Sequence, residues 1–491
     1  MPNALVARNG GRWGFAALVA ILLLGAGLRV GEAWDGRAPV FDAAAYAAIA
    51  KNLDEGNGFT VGPNATQPSS DYSPGLPLFV AGLYKVTGGV HERLARVVLA
   101  LIGTLAVLFT YLLALRLAAA LFRNRVPVLG SPQGDQSHGP PRAAVVAALI
   151  AALVVAIYPA TIEYTGMLMT EPLAATLLSG AILGILWAGD RTQRAGARAA
   201  WRWLVPGLTL GALALVRPEY LAIGLLLAVL VLLHERFAPR HEWRSQKSPD
   251  SGENCERTEG GRPGWGRRGV LAGVVVALGI VVVVAPWTIR NAIALDRFVA
   301  VSTGGGQVLY AGTYLPSDGN PEKVGAAVVA ENPELFGPHT VENIRLEQIL
   351  ARLAEARYPE MEPDQALSKM GKEQLRTDIT HHFGEYVEFV AAKIGRIWSH
   401  GPRDIMRTPV WEALHWILLG LGLLGLGLLA YLRRWEALLI GAAFLAVTII
   451  SALLVASPRR VLVLIPLLSA SAGAALAWLA TTASKSEPGP S

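Results

Sequence analysis

Apolar runs near 20 residues recur along this chain, and no other feature restricts its fold as tightly. A helical run of that length matches the hydrocarbon thickness of a bilayer, and in lipid the helix satisfies its own backbone hydrogen bonds. The rest of the composition agrees. Hydrophobic residues make up 53% of the 491 positions and charged residues only 16%, well short of the roughly one quarter usual in soluble domains. The expected fold is an all-α polytopic membrane protein with about ten transmembrane helices.

The runs fall near residues 14–29, 93–122, 143–158, 171–188, 204–216, 221–233, 269–287, 410–432, 437–456 and 461–479. Arg8 and Arg12 precede the first run without an acid, which keeps the N-terminus in the cytoplasm. No small-x-small cleavage site follows before Trp34, so the first run reads as an uncleaved anchor. Alternation then places both termini in the cytoplasm. The loop 34–92 and a larger polar segment, 292–408, fall outside. Three parts follow: a transmembrane module 1–291 that includes the 34–92 loop, an external soluble segment 292–408, and C-terminal transmembrane helices 409–491. The loop 123–142 is a Pro-, Gly- and Arg-rich cytoplasmic turn, and 234–268 is a polar, disordered cytoplasmic insertion. Leu78–Val86 suits a short helix lying along the interface, and Asn64-Ala-Thr66 is formally a glycosylation acceptor.

The sequence pI of about 9.4 does not signal nucleic acid, because the basic residues gather in loops between spans. Cys255 stands alone, without an intramolecular disulfide or a partner at metal-ligand spacing. His381 and His382 are adjacent and on a helix face different directions, which suits interfacial residues better than metal ligands. One loop breaks the pattern: Arg459 and Arg460 fall on the outer side, where positive charge is disfavoured.

Chemistry can be sought among ionisable groups at or just inside the outer membrane surface: Asp42, Glu163, Glu171, Arg217, Glu219, Arg290, Arg459 and Arg460. Burial of any of them costs several kcal/mol unless it is paired or hydrated. Each also has a plainer reading. Asp42 suits an N-cap, and Glu171 before Pro172 suits the first turn of a helix. Arg217 and Glu219 suit each other at a hairpin tip, and Arg290 suits an interfacial anchor. As a set they suggest more. Asp42 and Tyr46 lie one helical turn apart on the same face. Arginines offer a planar, permanently charged fork to a phosphate, and a facing carboxylate suits removal of a hydroxyl proton. The glycine-rich run from Val301 to Tyr310 could bring backbone close to a ligand. A phosphate met at membrane depth is most simply that of a lipid.

The order of motifs resembles the GT-C glycosyltransferases, the superfamily of protein mannosyltransferases and aminoarabinose transferases. The first loop carries Asp42-x-x-x-Tyr46, then Ala50-Lys-Asn-Leu53 and Gly56-Asn-Gly58. After it come Tyr72-Ser-Pro-Gly-Leu-Pro-Leu78, Leu168-Met-Thr-Glu-Pro172, Gly211-Ala-Leu-Ala-Leu-Val-Arg-Pro-Glu219, Pro286-Trp-Thr-Ile-Arg-Asn291, Ser302-Thr-Gly-Gly-Gly306 and the late Arg459-Arg460. The resemblance implies a polyprenyl-phosphate-linked sugar donor and inversion at the anomeric carbon. The acceptor would be a glycan, lipid or protein. Asp42 would be the catalytic base, with Glu171 beside it. Tyr46, Tyr72, Arg217, Glu219, Arg290, Tyr310, Arg459 and Arg460 would contact substrate. No cofactor is expected, because arginines can stabilise the departing phosphate; a divalent cation is the alternative. The implied location is a bacterial plasma membrane, with the site facing outside. A transporter or flippase of a lipid-linked glycan is the competing class, and polar residues confined to one side argue against it.

Overall fold

The computed structural model describes residues 2–36, 39–62, 65, 67–122, 142–195, 201–237, 265–317, 320–337, 345–399 and 401–483. The turn 123–141, the insertion around Cys255, the acceptor residue Asn64 and the C-terminal tail lie outside the described residues. Among those described, the secondary structure is entirely helical.

Seven helices are long and apolar enough to cross a membrane: Arg12–Asp35, Glu92–Phe122, Glu171–Asp190, Val270–Leu295, Pro409–Tyr431, Trp435–Leu453 and Ile465–Ala483. An eighth crossing is a bent pair, Arg142–Ile157 and Pro159–Gly166, with 52° between its halves. The remaining two expected runs, the fifth and sixth, form a hairpin, Leu204–Val216 and Glu219–Phe237. Its first limb has 13 residues, about 20 Å of helix and too short to span hydrocarbon alone. Large apolar side chains such as Val282, Leu438 and Leu445 stay exposed on the bundle's outside, a surface that suits lipid and not water. The protein is an integral, multi-pass membrane protein.

Ile465–Ala483 is the central helix, packed against Glu92–Phe122, Arg142–Ile157 and Pro409–Tyr431. Its run of Ser, Ala and Gly between Ser469 and Ala475 lets neighbours approach to backbone distance. At the closest point, a Cβ on Gly425 would overlap the Ser471 carbonyl.

The bend in the third crossing has a local cause. Pro159 lacks an N–H, so the Val155 carbonyl loses its helical donor. Buried Arg29 of the first helix supplies a replacement. It donates to Val155 O at 2.7 Å, to Ala156 O at 2.9 Å and to the Thr161 hydroxyl at 3.1 Å. An arginine can therefore sit at membrane depth without a carboxylate.

On the loop side, Asp42–Asp54 and Gly75–Thr87 pack on each other, the latter covering the Leu78–Val86 expected to form a short helix. The longer segment has a core of its own, built from Tyr310, Val324, Val328, Leu350, Leu353 and Leu367. Here one expectation changes. The glycine-rich run begins a helix, Gly305–Thr313, that lies against Pro363–His381. A Cβ on Gly306 would overlap the Asp364 carbonyl oxygen, while Asp364 Oδ1 accepts from the Gly306 N–H at 2.9 Å. Gly306 thus serves helix contact within the segment.

Candidate functional site

Alternation of the crossings brings the loops after Asp35, Ile157, Val216, Leu295 and Leu453 to one end of the bundle. Asp42, Glu171 and Glu219 each begin a helix there, where the exposed N–H dipoles favour negative charge. Asp42 is not the capping residue. Phe41 holds that position at φ 49°, and no side chain caps the helix, so the Asp42 carboxylate is free to turn toward the bundle.

It turns toward Arg459, at the start of the short helix Arg459–Leu462. Arg459 Nη1 lies 3.0 Å from Asp42 Oδ2, and Arg459 Nε lies 2.9 Å from Glu171 Oε1. One guanidinium thus bridges two carboxylates from distant parts of the sequence. Burial differs sharply between them: Glu171 is 2% exposed, whereas the Asp42 and Arg459 side chains are 41% and 33% exposed. Arg217 Nη1 also reaches Glu171 Oε1 at 3.4 Å, and its Nε donates to Glu219 Oε1 at 2.9 Å. Arg460 closes the group, with Nε 3.9 Å from Glu219 Oε1 and Nη1 donating to the Val455 carbonyl. Three acids and three arginines therefore meet in one place, and their charges balance.

Aromatic side chains frame the cluster. The Tyr164 ring lies under the Arg459 guanidinium at 5.8 Å. Tyr46 meets Tyr72 edge-on, with centroids 5.5 Å apart. Burial, followed by the Asp42 charge, pushes the Tyr72 hydroxyl up to about 12. Burial and then the charges of Asp42 and Glu171 raise Tyr46 as well. Both phenols therefore keep their protons at neutral pH and remain donors. Beside Glu171 lies a cavity of about 20 Å³, also lined by Arg29, Thr161 and Tyr164, with room for roughly one water.

Two expected site residues are placed elsewhere. Arg290 donates to Ser69 O at 2.8 Å and stacks on Trp287 at 4.9 Å and Phe59 at 5.6 Å, so it fastens the first loop to the bundle. Tyr310 is buried in the core of the longer segment, 5.6 Å from Tyr314. Glu163 pairs with Arg403, a partner the sequence reading did not pick out. His382 Nδ1 is 3.9 Å from Glu385, and among the described residues no group of three or more His, Cys, Asp or Glu could hold a metal ion.

The sequence reading also missed a second charge cluster. Arg116 grips Asp190 with both Nη atoms, at 2.6 and 2.8 Å, and comes within 3.5 Å of buried Glu436. It lies at the other end of the bundle, since Glu171 and Asp190 stand 19 residues apart on one helix, about 28 Å. Polar groups at membrane depth are therefore not confined to one side.

Among solved structures, the chain is similar to the archaeal oligosaccharyltransferase AglB from Archaeoglobus fulgidus in complex with an inhibitory peptide and a dolichol-phosphate. The TM-score is 0.52 at 17% identity, covering 98% of this chain and 52% of that one. The apo form of the A. fulgidus oligosaccharyltransferase gives 0.51 at 16% identity, covering 96% and 51%. ArnT from Cupriavidus metallidurans bound to undecaprenyl phosphate gives 0.36 at 15% identity, covering 93% and 77%. This chain spans about half the length of the oligosaccharyltransferase. No family model and no curated protein matches the sequence. The chain shares its fold with that archaeal oligosaccharyltransferase.

Proposed function

We propose that this chain is an inverting glycosyltransferase that moves a sugar from a polyprenyl-phosphate donor to an acceptor hydroxyl on the loop side of the membrane. The observation that carries this reading is the Arg459 bridge between Asp42 and Glu171. Glu171 fixes one edge of the guanidinium from a buried position, and the other edge reaches a carboxylate half open to solvent. An incoming phosphate competes for that second edge. As Arg459 turns to the phosphate, Asp42 loses its cation and becomes free to accept a proton. Asp42 then takes the proton of the acceptor hydroxyl. The hydroxyl oxygen attacks the anomeric carbon, the carbon–oxygen bond to phosphate breaks, and the bonding pair leaves on the phosphate. Arg459 and Arg460 stabilise the second negative charge that appears there, so no metal is required to neutralise it.

Two further features support a lipid donor. The archaeal oligosaccharyltransferase of like fold was solved with a dolichol-phosphate. An apolar groove of about 220 Å³, lined by Ile150, Val154, Trp411, Leu414, Leu418 and Leu421, suits an isoprenoid tail. The distribution of arginines in the short loops, with Arg459-Arg460 as the exception, supports an outward orientation.

The test is release of polyprenyl phosphate by the purified, reconstituted protein from a panel of undecaprenyl- and dolichyl-phosphate sugars. Asp42→Asn is expected to lower the rate by about 10²–10⁴-fold. A wild-type rate in Asp42→Asn, or donor translocation without any sugar release, would overturn the reading.

A further inference from the structure

The longer loop segment carries a cleft separate from the charge cluster. Helices Gly305–Thr313, Leu346–Arg357 and Pro363–His381 contribute walls to a space of about 430 Å³, within the usual range for small-molecule sites of about 300–1,000 Å³. The rings of Tyr310 and Tyr314 lie 5.6 Å apart and nearly parallel along it. Tyr358 adds a third ring, its hydroxyl donating to Glu373 Oε2 at 3.2 Å. Gln374 also lines the space and accepts from the Thr313 hydroxyl at 3.0 Å.

Asp378 sets this cleft apart from an ordinary surface depression. It is 7% exposed, and its Oδ2 is shut off from water with no hydrogen-bond partner. A buried carboxylate oxygen without a partner is costly. The position makes it worse, because Asp378 lies in the last turn of Pro363–His381, where the helix dipole opposes negative charge.

The lining also has a clear charge preference. Glu331, Glu373 and Asp378 outnumber Arg357 in the lining, with Lys369 Nζ 4.1 Å from the centre of the Tyr358 ring, an acid excess that disfavours phosphate. Tyrosine hydroxyls and carboxylates together fit a sugar ring, whose hydroxyls both donate and accept.

We propose that this cleft is a saccharide subsite that takes a neutral or amine-bearing sugar ring of the acceptor, with Asp378 and Glu373 as its hydrogen-bond acceptors. As an acceptor subsite it rests on the glycosyltransferase reading; as a sugar-binding cleft it does not. Its wall is continuous with the catalytic end. A Cβ on Gly312, in the helix that carries Tyr310, would overlap the Leu454 backbone, and Val455 packs on the core of the segment. The Val455 carbonyl in turn accepts from Arg460.

Saturation-transfer NMR on the full-length, detergent-solubilised protein tests this with glucose, glucosamine and glucose 6-phosphate as probes. No donor is present, so the readout does not depend on the transfer reaction. Transfer to glucose, glucosamine or both is expected, and none to glucose 6-phosphate. Asp378→Asn and Glu373→Gln should each weaken binding about tenfold, with melting temperatures equal to or above wild type. No signal from folded wild-type protein, a preference for the phosphorylated sugar, or full binding in both variants would overturn the assignment. If sugar binding survives while no lipid-linked donor is turned over, the subsite stands and the transferase reading falls.

Discussion

Both ends of the bundle hold arginines and carboxylates, and the two clusters use them differently. At the loop end, Arg459 divides its edges between Asp42 at 3.0 Å and Glu171 at 2.9 Å. At the opposite end, Arg116 donates with both Nη atoms to Asp190, at 2.6 and 2.8 Å, and the buried Glu436 stands farther off at 3.5 Å. A two-pronged grip on one carboxylate is directional and strong. It ties helix Glu92–Phe122 to helix Glu171–Ala195 and leaves little for a ligand to displace. A divided grip is easier to reassign, because losing the Asp42 contact leaves the Glu171 contact in place. Charge at membrane depth therefore does not by itself mark a site; an arginine with a replaceable partner does.

The largest expected effect lies at Glu171, the buried post of the loop-end cluster. Glu171→Gln removes the negative charge that holds both Arg459 and Arg217, and breaking a buried pair from one side costs about 3–5 kcal/mol. Thermal unfolding should show a clear loss of stability together with loss of transfer; a stable, active variant would erase the contrast drawn here. Arg116→Ala comes next. Its pair is partly exposed, so a smaller loss of about 1–3 kcal/mol is expected, with the half-saturating donor concentration unchanged in steady-state kinetics.

A third test concerns Lys393, buried beside the loop-end cluster and donating to Gly312 O at 2.6 Å. Burial, with help from Arg460 and Arg396, lowers its pKa from 10.5 to about 7. Between those two values the unfolded chain binds more protons than the folded one, so stability rises with pH across that window. Below about pH 7 the full penalty applies. Lys393→Met should therefore raise the melting temperature by several degrees at pH 6, and the gain should shrink toward pH 10. An equal gain at both pH values would contradict the assignment.

The smallest effect is expected at Phe41, whose φ of 49° is unusual for a residue other than glycine. Phe41→Gly should change stability by no more than about 1 kcal/mol. Transfer should fall more than stability does, because the chain direction that aims Asp42 is no longer held. Equal falls in both would reduce Phe41 to a structural role.

Most of the fold was legible because membrane crossings are written in length and polarity, and the ten apolar runs are helical apart from a break at 463–464 and the last residues of some runs. Asp42, Glu171, Arg217, Glu219, Arg459 and Arg460 were legible for a related reason. Charges at membrane depth are expensive, so they need partners, and the loops on one side had to supply them. Where packing decided the outcome, the sequence was silent. The glycines near 305 looked suited to a ligand because Asp364, their actual neighbour, lies 58 residues onward. Arg290 and Tyr310 had the right type and side for the cluster, yet carbonyls of the first loop and the core of the segment claimed them. Arg116 and Asp190, 74 residues apart, gave no local hint that they face each other. Asp378 sits in a charged, helical stretch where one more acid is unremarkable until its burial is seen.

The contrast between the two ends can be measured directly as binding of undecaprenyl phosphate to the reconstituted protein, with Arg459→Ala compared against Arg116→Ala. A loss of affinity of about tenfold or more in Arg459→Ala, with wild-type affinity in Arg116→Ala, is the predicted result. Equal affinity in both variants, or a loss confined to Arg116→Ala, would contradict the assignment of the lipid phosphate to the loop-end cluster.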